Sequence, residues 1–376
     1  MNVLITGGAG FIGSNLALRL VTSGHSVTVL DTLSPQIHGD APEASPLFRS
    51  IEGKVSFVRG SVTDRPLLER LLPDHEVIVH LAAETGTGQS MYEIERYTSA
   101  NVGGTALMLD VLASRTGKVR RVVVASSRAI YGEGRYFSPE LGYVYPPSRS
   151  PDDMEAGRFE PTFPGASAPL QLAPTDEESK LHPTSVYGIT KQVQEQLVMA
   201  VCPSLGLEGV ALRYQNVFGP GQSLRNPYTG ILSIFSNLIL QGKPINVFED
   251  GRESRDFVFI DDVVTATMLA IEHPAAANRL FNVGTGVATS VLEVARTLVR
   301  LIGVQVPVEI SGNFRIGDIR HNVADTSRIR EVLGFQPAFD FEEGVTLFVD
   351  WAKSCGVQPS AYEASLEEMR AKRLLR

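Results

Sequence analysis

The stretch that decides the fold is Met1-Asn2-Val3-Leu4-Ile5-Thr6-Gly7-Gly8-Ala9-Gly10-Phe11-Ile12-Gly13-Ser14-Asn15-Leu16. Asn2–Thr6 is a short apolar run and reads as a strand. Residues 11–21 carry apolar side chains at helical spacing. Gly7, Gly10 and Gly13 fall between the two as G-x-x-G-x-x-G. Glycines in that place permit a tight turn and let the backbone approach a pyrophosphate. The helix that follows offers unpaired N–H groups and the positive end of its dipole. Phe11 and Ile12 open this helix and are expected at the same ligand. A glycine triplet alone could equally serve to pack a helix on a strand. Asp31 ends the next strand, 26–30, and supplies a carboxylate suited to a ribose hydroxyl pair. That carboxylate repels a 2′-phosphate, so the expected cofactor is NAD rather than NADP.

Outward from this start, strand-like runs at 55–58, 77–81 and 121–125 alternate with helix-like runs at 64–72 and 98–112. Such alternation predicts an α/β fold: a Rossmann doubly wound parallel sheet, covered by helices on both faces. Between 133 and 183 a series of prolines, from Pro139 to Pro174, interrupts every regular pattern. A segment so long is either a functional lid or a mobile insertion. A long helix is expected over 184–201 and a strand over 209–214. Helices at 230–241, 262–272, 290–302 and 341–351 then mix with strands at 245–248, 257–260, 280–283 and 306–310. The expected division is a nucleotide-binding unit over 1–215, with the insertion, and a smaller α+β substrate unit over 216–376. Residues 255–275 are expected to return to the first unit. The charged, helix-prone tail after Ser354 is expected at the surface.

Bulk composition narrows the function. The chain has 376 residues, 43% of them hydrophobic and 20% charged, with a formal net charge of −8. That balance fits a globular protein and argues against a nucleic-acid surface, which needs clustered excess cations. No apolar run approaches the ~20 residues of a membrane helix. The N-terminus lacks the basic region of a signal peptide. Cys202 and Cys355 form no disulfide framework and no metal spacing, so a cytoplasmic setting and no metal are expected.

Tyr187 and Lys191 stand in Y-G-I-T-K, four residues apart on one helix face. A phenol with an ordinary pKa near ~10 is a poor base at neutral pH. A nearby ammonium and a positive nicotinamide favour its phenolate, which can then take a proton from a substrate hydroxyl. Lys191 can also hold the nicotinamide ribose. Ser126 and Ser127 end the 121–125 strand, where parallel sheets collect their ligands. Ser127 can hydrogen-bond the reacting oxygen.

Several motifs act together: T-G-G-A-G-F-I-G-S-N-L, H-L-A-A from His80 to Ala83, N-V-G-G-T from Asn101 to Thr105, S-S-R-A-I-Y-G from Ser126 to Gly132, Y-G-I-T-K, and R-D-F-V-F-I-D-D-V from Arg255 to Val263. In this combination the chain resembles the extended short-chain dehydrogenase/reductases, and among them the NAD-dependent nucleotide-sugar epimerases and dehydratases. The resemblance covers nearly all of the chain outside the proline-rich insertion and the tail. It implies Ser127, Tyr187 and Lys191 as catalytic residues. It places Leu81, Ala82, Ala83, Asn101 and Tyr214 along the NAD site, with Asn101 near the catalytic helix. The family usually touches adenine with an Asp in G-D-x-x-D. Here Ser61 and Val62 stand in Gly60-Ser61-Val62-Thr63-Asp64, with less charge.

For the substrate, the resemblance implies that Asn216, Arg255, Arg315 and Asp318 bind the pyrophosphate and nucleoside ribose. Thr85 and Ser127 would meet the sugar, and Asn246 and Phe248 would flank the base. Arg255 could instead form a structural pair with Asp256. Related dehydratases carry an Asp-Glu pair just after the catalytic hydroxyl residue, related decarboxylases a Glu and related 3,5-epimerases a Cys. This chain has Arg128 and Ala129 there. What remains is oxidation at one carbon, rotation of the ketosugar and hydride return: 4-epimerisation of a dTDP- or UDP-linked sugar. The 34–39 segment, Y-G-E-G and P-T-D-E are similar to 4-epimerases acting on dTDP-6-deoxyhexoses. Alternatives are an NAD(P)H-dependent ketosugar reductase, a dehydratase and a non-catalytic NAD-sensing protein. A homodimer is expected through 98–112 and 184–201.

Overall fold

In the computed structural model, which describes residues 1–226, 228, 230–359 and 362–376, seven strands form one sheet. Their order is Arg279–Val283, Glu208–Tyr214, Arg121–Ser127, Val77–His80, Asn2–Thr6, Ser26–Asp31, Ser56–Arg59. Every neighbouring pair is parallel, with Val3 opposite Val27 on one side and Val77 on the other. Helices cover both faces, which is why the strands read as unbroken apolar runs rather than alternating ones. Leu16, Ala17 and Leu20 of the helix Phe11–Thr22 share one core with Val263, Ala266 and Ala270 of Ile260–Glu272. Met108, Leu112, Val198 and Cys202 fill the other face. The order reverses beside Asn2–Thr6. Doubly wound sheets bind ligands outside the strand C-termini at such a switch point.

The last strand of this sheet, Arg279–Val283, comes from the second half of the chain, beyond the return expected at 255–275. Smaller sheets complete that half, among them Ile245–Val247 paired with Val308–Ile310. The helix expected over 98–112 is one run from Ile94 to Ser114, with a wide π-type turn at Thr98–Gly103. Ser185 caps the helix Val186–Ser204 by accepting from the Gly188 N–H at 3.1 Å.

Two segments depart from the sequence expectation. The insertion is ordered: Tyr136–Ser138 pairs antiparallel with both Gly142–Val144 and Gln171–Leu172. These strands are too short for any periodicity to show. The tail does not simply lie at the surface. After the helix Tyr362–Ala371, Arg376 and Phe314 exchange backbone hydrogen bonds at 2.9 and 3.0 Å. Leu366, Met369 and Leu375 are buried against Phe248.

Candidate active site

A cleft of about 410 Å³ opens at the switch point, along the C-terminal ends of the strands. It brings together Gly7, Gly10, Phe11, Ile12, Gly13, Asp31, Ser61, Val62, Leu81, Ala82, Ala83 and Thr85 with Ser127, Tyr187, Lys191 and Tyr214. The glycine turn leaves no room for side chains. Gly7 has φ +69°, and a Cβ on it would stand 2.7 Å from the Ala82 nitrogen. A Cβ on Gly13 would stand 2.4 Å from the Gly7 carbonyl oxygen. The Asp31 carboxylate accepts from the Ala9 N–H at 3.0 Å and the Leu33 N–H at 2.8 Å, so it is held at the mouth of the turn. In the cleft wall, the Ser126 hydroxyl and both polar atoms of the Gln215 side chain are buried without a protein partner. Buried polar groups left so are costly, which suits a wall that meets a polar ligand. Backbone turn, strand-end carboxylate and polar wall together fit a dinucleotide.

Sequence reasoning missed part of this wall. Pro35–His38 is a short helix whose Gln36, Ile37 and His38 line the cleft. Ser34 followed by Pro35 was the available signal for a helix start. His38 is buried, its Nδ1 is 2.8 Å from the Ser45 hydroxyl, and burial lowers its pKa. Gln215, Gln222 and Ser223 enter from the loop after Glu208–Tyr214 and carry no sequence signature.

Ser127 sits at the strand end, and its hydroxyl accepts from the Ala129 N–H at 3.2 Å. Tyr187 and Lys191 occupy the first turns of Val186–Ser204. Burial raises the pKa of the Tyr187 phenol; a hydrogen bond from Ser127 and the charge of Arg128 pull it back down. Arg128 is a cation at this phenol that the sequence reading did not single out. The Lys191 ammonium donates to Gln194 Oε1 at 2.9 Å. Gln194 in turn donates to the Thr105 hydroxyl at 2.8 Å, beside His80, which burial holds at about 3. Burial brings Lys191 itself down to about 7.

Asn101 is corrected. It does not line the cleft. Its amide accepts from the Glu84 N–H at 2.7 Å and donates to the Glu84 carbonyl and the Thr190 hydroxyl. It therefore positions the catalytic helix rather than reaching for the cofactor, and the wide turn at Thr98–Gly103 aims it there. Tyr214 lines the cleft with its hydroxyl 2.8 Å from that of Thr267.

The expected substrate residues lie beyond the catalytic group, in the second half of the chain. Arg315 and Asp318 pair at 3.2 Å and face a small cavity shared with Thr87, Thr184 and Ser185. Burial alone would raise Asp318; the guanidinium groups of Arg315, Arg255, Arg149 and Arg128 more than offset it and hold the carboxyl low. Arg255 donates to the carbonyls of Ser254, Ile319 and Arg320, not to Asp256. Asp256 instead accepts from Thr285, Gly286 and Ala324. Asn216 and Asn246 each keep a buried, unpartnered Oδ1. The ring of Phe248 is already covered, by Arg315 at 5.1 Å and by the tail.

A glycine turn, a strand-end carboxylate and a Ser–Tyr–Lys group around one cleft define an extended short-chain dehydrogenase/reductase. The chain belongs to the NAD dependent epimerase/dehydratase family, whose model matches residues 3–151 and 162–284. It is similar to a dTDP-L-rhamnose 4-epimerase of Burkholderia thailandensis, at 40% identity over 93% of this chain and 94% of that protein. It is similar to a UDP-glucose 4-epimerase of Mycolicibacterium smegmatis, at 33% identity over 94% of this chain and 99% of the other. Among solved structures, the UDP-glucose 4-epimerase of Thermotoga maritima with UDP-glucose superposes with a TM-score of 0.77 at 31% identity, covering 94% and 99% of the two chains. This protein is thus an NAD-dependent enzyme.

Proposed function

We propose that this protein is a nucleotide-sugar 4-epimerase, with Ser127, Tyr187 and Lys191 as its catalytic residues and a dTDP-6-deoxyhexose as its substrate. One observation carries the reading: the cleft brings the Tyr187 phenol together with Ser127, and the turn beyond Ser127 bears Arg128 and Ala129 in place of a second acid. A dehydratase or decarboxylase needs that second group; inversion of one carbinol carbon does not. Tyr187 Oη takes the proton of the C4 hydroxyl, and Ser127 Oγ holds the same oxygen by a hydrogen bond. NAD held in the cleft would supply the hydride acceptor, and then the hydride donor, for C4. Gly7, Gly10 and Gly13 would hold its pyrophosphate, Asp31 its ribose hydroxyls and Lys191 the second ribose. Arg255 and Arg315 would meet the diphosphate, since a guanidinium fork matches phosphate oxygens. The 40% identity to a dTDP-L-rhamnose 4-epimerase supports the choice of sugar. Exposed Ile94 and Ile189, beside and on the catalytic helix, support a homodimer through that face.

The test is a panel of UDP-, dTDP- and GDP-sugars followed by NMR for inversion at C4, with NAD carried through purification. Tyr187→Phe is expected to bind both ligands and to lose roughly 10²-fold or more in turnover. Release of one NAD(P) per turnover would instead identify a reductase.

A further inference from the structure

Directly after Ser127 the chain makes one tight helical turn, Arg128–Tyr131. That turn is wedged in place. Gly188, next to the catalytic phenol, packs so closely that a Cβ on it would stand 2.7 Å from the Ala129 carbonyl oxygen. Gly132 closes the turn at φ +60°, with the His182 carbonyl only 2.4 Å from where a Cβ would be. Arg128 is thereby fixed between the strand end and the start of the catalytic helix. Its charge is felt by Tyr187 on that helix, by Arg255 and Asp318 from the second half of the chain, and by Glu133 on its own segment.

The arginines with fully buried side chains have protein partners. Arg121 binds Glu208, Arg149 binds Glu249, Arg213 binds Glu195, and Arg320 binds Glu160 and Asp250. Arg128 makes no hydrogen bond or ion pair with a described residue. The acids near it are taken: Glu133 by Arg149 and the Arg320 N–H, Asp318 by Arg315. A guanidinium always carries its charge and presents five donors in a plane. Half-buried and without protein partners, those donors suit a ligand with several oxygen acceptors.

We propose that Arg128 is a substrate-contacting residue whose guanidinium donates to oxygen atoms of the hexosyl group, between the Tyr187 phenol and the Arg255–Asp318 region. This rests on the nucleotide-sugar reading above. The hexosyl group is favoured over the diphosphate by position. Arg128 directly follows Ser127 and its charge reaches the Tyr187 phenol, whereas Arg255 and Arg315 come from the second half of the chain. The same charge favours a negative phenol oxygen at Tyr187. The groups facing that phenol are Ser127 from the strand end, Arg128 from the turn and Tyr97 from the helix Ile94–Tyr97; Lys191 of its own helix lines the same cleft.

The experiment compares wild type, Arg128→Gln and Arg128→Lys as NAD-loaded enzymes. Calorimetry measures binding of UDP and dTDP against UDP-hexose and dTDP-hexose; kinetics give kcat against pH. Arg128→Gln is expected to weaken the hexose-bearing ligands about tenfold, the size of one charged hydrogen bond. UDP and dTDP should keep their affinity within about twofold. The rise of kcat with pH should move to higher pH, and Arg128→Lys should recover part of both effects. Equal weakening of the free nucleoside diphosphates would overturn the assignment, as would unchanged sugar affinity. Arg128→Met serves if the glutamine variant does not fold. Failure of the wild type to bind either nucleoside diphosphate would sink the nucleotide-sugar reading itself.

Discussion

Lys191 holds a charge where the fold does not favour one. Its pKa falls from 10.5 to about 7, because burial penalises the ammonium. A group whose folded pKa is depressed contributes stability above its unfolded pKa and loses it as pH falls through the folded value. Wild type freed of nucleotide should therefore lose melting temperature as pH drops from 10 toward 7, in part through this residue. Lys191→Met removes that slope. Its melting temperature at pH 6 should equal or exceed that of wild type, while turnover falls roughly 10²-fold. A variant that melts lower and turns over normally would contradict both halves of the argument. The Tyr187–Lys191 pair, Ser127 at its strand end and the glycine turn were legible in the sequence because each depends on a pattern within one short segment. The charge of Arg128 on Tyr187 was not. It depends on how a strand end and a helix start meet in space, which no local pattern encodes.

At the scale of elements, legibility follows length. The strands of the central sheet were readable because both faces are buried and their apolar runs are continuous. The hairpin Tyr136–Ser138 and Gly142–Val144 was not, since three-residue strands among prolines leave no period to detect. The tail is the instructive failure. Its helical propensity was visible, but its partner, the segment around Arg315, lies far back in the chain. Met369 and Leu374 line the small cavity that Arg315 and Asp318 face, and Glu368 accepts from the hydroxyls of Tyr92 and Tyr228. Ending the chain at Pro359 would uncover Phe248 and free the 314–316 segment from its backbone pairing. The expected result is a KM for nucleotide-sugar raised about tenfold, because small misplacement of positioning residues is expensive. NAD binding and kcat should change little. Steady-state kinetics on the shortened enzyme decide this, and an unchanged KM would reduce the tail to surface cover.

At the scale of the molecule, one buried charge network ties the insertion to the second half of the chain. Arg149, from the insertion, grips Glu249 with two hydrogen bonds of 2.8 Å and reaches Glu133 at 3.2 Å. Arg320 joins the same Glu249 and adds Glu160 and Asp250. This is why the proline-rich segment is a wall rather than a loose lid, a conclusion that composition alone could not reach. Removing one partner of a buried pair leaves an uncompensated charge, which destabilises by roughly 3–5 kcal/mol. Arg149→Met should show such a loss in urea or guanidinium unfolding near pH 8. The pH dependence has a definite sign. Burial raises Glu133 from 4.5 to about 7, with Arg149 pulling against it. A carboxyl raised in the folded state contributes its stability below the unfolded pKa and loses it as pH rises through the folded one. Without Arg149 the folded pKa of Glu133 climbs further, so more stability is lost on the alkaline side. At pH 5 Glu133 is neutral in either protein and asks little of Arg149. The deficit of Arg149→Met should consequently shrink between pH 8 and pH 5. A deficit that stays constant would assign the network's strength to Glu249 alone.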